Sequence, residues 1–437
     1  MSEMSGALTI PGGRETTKRR WRIPPPLMRD AEAPGPEGLY VLEEFRNELG
    51  MVLWKSLRSV ILWSQLDAEE RDGLFEEKVA EARKSEIRAT VPRGDKELRE
   101  HLEGLLPVLS DPVGADPDAV GAACMGVAAW AEAQGARKSA LEFIQAASLA
   151  CPADPRFALA IGRSARDLTQ YARAEAWFYR AVGLSRQVND WEAYIRAYLA
   201  HGKMLLRKGA LPAAERSFIK ARRRATRQGL RTFEAMSYHE LFVLAIAMGN
   251  LEQAMTYAER AAKAYGPKHN DFPILAHDVA YYWMQQGDYD RALPVFNEVL
   301  GRIREAHRAV ILGSIARAAA GTGDRERFEW AVSELEKLQD GPGVAEAWVE
   351  VARGAILVGD HDHAVRAAGF AERLARERKE GQVQFMAESV VESAKADARA
   401  VETRRKEARE ALDPERQEDF TRKLLRFLRV PAGSGRG

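Results

Sequence analysis

A chain of 437 residues, 46% of them apolar, can bury a large hydrophobic area but is too long for one compact core, so several domains or an elongated array are expected. With 65 basic and 64 acidic residues the net charge is +1, which excludes a global attraction to nucleic acid or anionic membrane; any such role needs a local patch. The two cysteines, Cys124 and Cys151, are too few for a disulfide framework or a zinc site, and are expected to be reduced packing residues of a cytoplasmic protein.

In chain order, residues 1–37 are rich in Gly, Pro and Arg ("GGRETTKRRWRIPPP", "EAPGPEG") and read as a disordered arm with its basic run at 14–22. Met1 to Asp30 has no apolar core of a secretory signal. Residues 38–112 read as an N-terminal helical block. There "LYVLEEFRNELGMVLWKSLRSVILWSQL" places Leu42, Phe45, Leu49, Val52, Leu53 and Leu57 on one stripe at helical spacing. A second helix is expected from Ala68 to Ala89, and a third across "DKELREHLEGLLPVL". Residues 116–378 are repetitive. Residues 381–430 read as charged C-terminal helices broken near Asp413-Pro414, and 431–437 as a disordered tail. No uncharged run approaches the roughly 20 residues needed to span a bilayer, so no transmembrane segment is expected.

The repeats align on Ala140, Ala174, Ala214, Ala254, Ala292, Phe328 and Ala364, spaced by 34, 40, 40, 38, 36 and 36 residues. Five positions before six of these anchors stands a glycine: Gly135, Gly209, Gly249, Gly287, Gly323 and Gly359. Four positions after the anchors comes an apolar, often aromatic residue such as Phe178, Phe218 or Phe296; twelve before them, most residues are small, as at Gly162, Gly202 and Ala280. The glycine fits the left-handed end of a first helix, and the small residues let two antiparallel helices approach closely. A helical hairpin of this kind leaves one apolar face open, which the next hairpin must cover.

This pattern, clearest in "GDYDRALPVFNEV" and "QYARAEAWFYRAV", resembles the tetratricopeptide repeat (TPR) family over about 260 residues. The spacings mostly exceed that family's 34 residues, Phe328 replaces Ala in the sixth unit, and Pro294 lies inside a second helix, where it should kink the helix or cost about 3 kcal/mol. The resemblance implies an all-α, right-handed solenoid of about seven degenerate helical hairpins, and protein or peptide binding in a concave groove lined by first helices. In that register the groove carries Arg156, Arg163, Arg166, Arg196, Lys203 and Arg207 in repeats two and three. In repeats four and five it carries His239, Ile246, His277, Tyr281, Met284 and Gln285. The inner wall is thus expected to grade from basic to apolar, with an acidic or C-terminal carboxylate part of a partner against the arginines. The competing reading pairs those arginines with carboxylates of neighbouring helices or leaves them solvated.

Other chemistry finds little support. His239 and His277 occupy equivalent positions beside Glu240 and Asp278, and stacked groove residues explain them better than a metal or acid–base site; "HDH" at 361–363 reads as a cap. No P-loop, G-x-S-x-G, H-E-x-x-H or C-x-x-C is present. Two basic runs are candidates for nucleic-acid contact: "TKRRWR" at 17–22, more simply a solubilising disordered arm, and "KARRRATRQGLR" at 220–231, which closes a helix whose C-terminal dipole favours cations. "DFTRKLLRFLRV" is expected to cap the last repeat or self-associate, and the N-terminal block to cap the first repeat or form a dimer interface. The expectation is therefore a non-catalytic adaptor or scaffold from a bacterial cytoplasm, with no cofactor and no metal, and with a protein or peptide rather than a nucleic acid as partner. A peptide-responsive regulator that changes conformation is the alternative, and a hydrolase built on the groove histidines stands third.

Overall fold

The computed structural model describes residues 39–338, 341, 343–378, 380–395 and 414–431. The arm at 1–37, the basic run within it, the charged stretch at 396–413 and the tail at 432–437 lie outside them. Among the described residues every regular element is helical, and none is long and apolar enough to cross a membrane. The chain divides into two compact units, Met1–His201 and Gly202–Gly437.

The first unit begins with α1 (Leu39–Glu44) and α2 (Glu48–Ser64). The single stripe expected there is split, because the Asn47 side chain accepts from the Gly50 amide and starts a new helix. Val52, Leu53 and Leu57 are buried, whereas Leu42, Phe45 and Leu49 are only half-buried. The helix expected from Ala68 is also corrected. A 3-10 turn at Ala68–Glu70, closed by a capping box between Asp67 and Glu70, precedes α3 (Glu77–Thr90). The third segment divides before Pro107 into α4 (Lys96–Glu103) and α5 (Pro107–Ser110).

Hairpins follow: α6 (Pro117–Ala133) with α7 (Arg137–Ala150), and α8 (Pro155–Asp167) with α9 (Tyr171–Val188). Both first helices start alike. Asp116 or Asp154 caps the helix, accepting from the amide two residues on, with proline at the first helical position. The N-terminal block covers the first hairpin. The Glu44 carboxylate accepts from the Ser139 amide at 2.7 Å, filling orphan donors of α7, and Phe45 stacks on Trp130 at 5.3 Å. Cys124 and Cys151 are free and buried, and burial, then Asp118, pushes the Cys151 thiol up to about 12.

The division between units falls within α10 (Trp191–Arg207). The second unit continues with α11 (Leu211–Gln228), α12 (Arg231–Ala247), α13 (Leu251–Tyr265), α14 (Phe272–Gln285) and α15 (Tyr289–Leu300). Then come α16 (Arg308–Thr322), α17 (Arg325–Glu336), α18 (Val344–Leu357), α19 (His361–Glu377), α20 (Gly381–Lys395) and α21 (Pro414–Leu428).

All seven anchors lie buried in second helices, and the six corner glycines have φ of 78°, 72°, 73°, 79°, 80° and 79° in chain order. The second hairpin has no glycine at its corner, yet Thr169, at the same offset from its anchor, adopts φ 62°. The hairpin geometry therefore imposes the left-handed turn even where the residue resists it. The small residue at minus twelve has an equally direct cause. A Cβ on Gly162 would lie 2.6 Å from the Phe178 ring, and one on Gly202 2.3 Å from the Phe218 ring. Phe328, in place of Ala, is accommodated because Gly354 on the next first helix offers no side chain against it. Pro294 stays inside α15 as an exposed residue.

The C-terminal elements differ from expectation. The last hairpin is covered by α20, which packs on α18 and α19. The helix α21 turns back onto α14 and α15 instead. It buries Phe420, Leu424 and Leu428 there, with Phe420 edge-on to Trp283 and Phe427 against Phe272. Arg302 donates to the carbonyls of Phe427 (2.9 Å) and Leu428 (3.1 Å), satisfying the end of α21.

Candidate functional site

Each first helix turns one row of side chains away from its own second helix. In the first unit that row is basic. Arg156 is exposed, and its guanidinium lies 2.6 Å from Asp154, the carboxylate that caps its own helix. Arg166 lies 2.9 Å from Asp167. Arg163 and Arg196 are exposed. Arg163 makes no hydrogen bond or ion pair with the described residues. Partial desolvation, and then the like charges of Arg196 and Arg166, lower its proton affinity, with Asp167 opposing. Three guanidinium groups from α8 and α10 thus share one region that carries an excess of positive charge.

In the second unit the rows are largely satisfied from within. Lys203 pairs with Glu240 at 2.6 Å, and Arg207 is exposed. His239 on α12 and His277 on α14 both reach the Asp278 carboxylate, at 2.8 Å from Nε2 and 3.1 Å from Nδ1 respectively. Burial works against ionisation of Asp278, and the two imidazoles overcome it, holding the carboxyl well below the usual range. Burial likewise works against the imidazolium of His239, and Asp278 and Glu240 outweigh it, so its pKa is raised.

Farther along, Glu350 on α18 collects three donors. The Tyr281 hydroxyl donates to it at 2.9 Å, Arg317 on α16 at 2.8 Å and Arg353 at 2.5 Å. Arg317 and Glu350 are almost fully buried, at 4% and 3% exposure. Burial opposes both charges, and their pairing prevails, raising the Arg317 pKa and lowering that of Glu350. Loss of one partner of such a pair typically costs about 3–5 kcal/mol, because the other stays buried and charged. Arg317 also lies 3.5 Å from the side-chain amide oxygen of Gln285. Glu346, half-buried nearby, has its pKa raised by burial and by the Glu350 charge.

Two expectations are corrected. Met284 is fully buried and lines no surface; an unbranched apolar side chain at the margin of a helix face gains more by entering the core. Ile246 remains half-buried. The wall of repeats four and five is also not apolar. Its dominant feature is a pair of carboxylates one residue beyond the expected groove position, Glu240 and Asp278, at minus fourteen from their anchors, an offset at which repeats six and seven carry the buried Ser314 and Glu350. Three carboxylates recurring at one offset were the available signal.

His277 Nε2 lies 3.3 Å from the Ser314 hydroxyl, so Asp278, His277 and Ser314 form a connected chain. The serine is fully buried and donates its proton to the Val310 carbonyl at 3.0 Å. A nucleophile needs an open approach and a base that takes its proton, and this arrangement supplies neither. Among the described residues no three His, Cys, Asp or Glu side chains converge as a metal-ligand set.

No family model and no curated protein matches the sequence. Solved structures of similar shape include yeast Tom70, with 18% identity, 70% of this chain and 65% of that chain covered, and a TM-score of 0.47. A signal-transduction ATPase with a tetratricopeptide repeat sensor from Pyrococcus horikoshii aligns with 15% identity, coverage of 70% and 50%, and a TM-score of 0.47. A Rap protein complexed with competence and sporulation factor aligns with 13% identity, coverage of 78% and 99%, and a TM-score of 0.46. The hairpins, the left-handed corners and the helix pairing make the fold an all-α, TPR-like array.

Proposed function

We propose that the protein is a non-catalytic interaction module, an adaptor or scaffold that captures an acidic stretch of a partner protein on the first-helix face of its first unit. One observation carries this reading: Arg163 is exposed, has no carboxylate of its own, and stands beside the charges of Arg166 and Arg196. Like charges gathered at a surface repel one another, and an incoming carboxylate relieves that repulsion while gaining charge-assisted hydrogen bonds. The second unit contributes less to direct capture, since Lys203, His239, His277 and Tyr281 already serve Glu240, Asp278 and Glu350.

The test is recovery of partners from the native host with the full-length chain, read by mass spectrometry, beside the Arg163→Glu, Arg196→Glu variant. Charge reversal should reduce recovery of the bound protein at least tenfold, since each desolvated charge contact is worth roughly 1.5–3 kcal/mol. Undiminished recovery by the variant would overturn the proposal.

A further inference from the structure

The helix α11 differs in charge from the other second helices. Along its 18 residues it holds six Lys or Arg and a single acid, Glu215, a local excess of +5 in a molecule whose total is +1. By contrast α13 sets Glu252 and Glu259 against Arg260 and Lys263, and α17 mixes arginine with glutamate throughout. On α11 the buried residues Ala214, Ser217, Phe218, Ala221 and Ala225 form the core face. Arg216, Lys220, Arg223 and Arg227 form the opposite, exposed stripe at helical spacings of four, three and four. Among the described residues Arg216, Arg223 and Arg227 meet no carboxylate. Arg222, on the flank, is directed inward by its hydrogen bond to the Tyr238 hydroxyl at 3.1 Å.

The helix dipole accounts for cations in the last turn, and so for Arg227, but not for Arg216 and Lys220 in the middle of the helix. Cations four residues apart on one face destabilise a helix, so the stripe works against the fold that carries it. Its occupant is indicated by what it lacks as well as by its charge. None of the exposed large apolar residues lies between 202 and 231. A protein interface and an inserting membrane helix both draw on apolar anchors, whereas a phosphodiester backbone requires only cations in register. From Arg216 to Arg227 the stripe runs about 16 Å, the axial length of roughly five base pairs.

We propose that the exposed face of α11 is a sequence-independent contact surface for the phosphate backbone of a nucleic acid. Arginine and lysine there hold phosphates through charge-assisted hydrogen bonds, and no base is read.

Fluorescently labelled duplex DNA and single-stranded RNA of mixed sequence, titrated with the full-length protein at several salt concentrations, test this. Binding to at least one should weaken linearly in log–log form as salt rises. Arg216→Ser, Arg223→Ser, Arg227→Ser should reduce affinity at least tenfold and, for duplex, lower the salt slope by about 2–3, near 0.9 per lost phosphate contact. Arg304→Ser, Arg325→Ser, Arg366→Ser removes the same charge from exposed sites elsewhere and should bind as the parent does. Absence of low-salt binding by the parent, or equal losses in the two variants, overturns the proposal. So does binding that depends on α11 but is confined to phosphatidylserine vesicles.

Discussion

At the scale of single residues, the bridge from His239 through Asp278 to His277 ties α12 to α14 by charge, and it makes stability depend on pH. The carboxyl of Asp278 is held below its ordinary value near 3.8, so its contribution is present above about pH 4 and is lost as pH falls through the lower folded value. His239 is raised above its ordinary 6.5, so its contribution is complete below about pH 6.5 and is lost as pH rises through the higher folded value. Both act together between about pH 4 and 6.5. Replacing Asp278 with Asn should therefore cost most stability in that window and clearly less by about pH 9. Urea unfolding of parent and variant at pH 5.5 and pH 9 reads the difference directly; an equal gap at both would show that the bridge is not ionic.

At the scale of the helical hairpin, the corner separates backbone demand from side-chain contact. Gly209 has φ 72° and no atom within 4 Å of the point where a methyl group would stand, so Gly209→Ala strains only the backbone and should cost about 1–2 kcal/mol. Thr169→Gly should have the opposite sign. Relief of the left-handed strain exceeds the added freedom of the unfolded chain, for a net gain of roughly 0.5–1 kcal/mol, measurable by thermal unfolding. The same corner explains what was legible beforehand. Anchors, corner glycines and small-against-aromatic pairs recur at fixed offsets because each hairpin solves one local packing problem, so their register appears in the sequence. Choice of partner is tertiary. Whether Arg317 meets solvent or Glu350, and whether Met284 lines a wall or enters a core, depends on side chains from other helices with no fixed offset. The position of α21 is of the same kind, since an amphipathic stripe declares that it will be buried, not against which neighbour.

At the scale of the whole molecule, a stack of hairpins has apolar faces at its ends that must be covered. The block from α1 to α5 covers the first hairpin and α20 the last, leaving α21 free for another task. It lies on α14 and α15, where Trp283 and Phe272 meet Phe420 and Phe427, and where Arg416 reaches Glu259 at 2.8 Å. Burial of Phe420, Leu424 and Leu428 contributes about 2 kcal/mol each before the entropy of ordering the helix is subtracted. Deleting residues 414–437 should therefore act locally. Amide exchange across Phe272–Leu300 should accelerate in proportion to a loss of roughly 2–5 kcal/mol in opening free energy, while Pro117–Ala150, in the other compact unit, keeps its protection. Uniform acceleration over both segments would mean that α21 stabilises the fold globally, and unchanged exchange in Phe272–Leu300 would mean that its docking is not tight in solution.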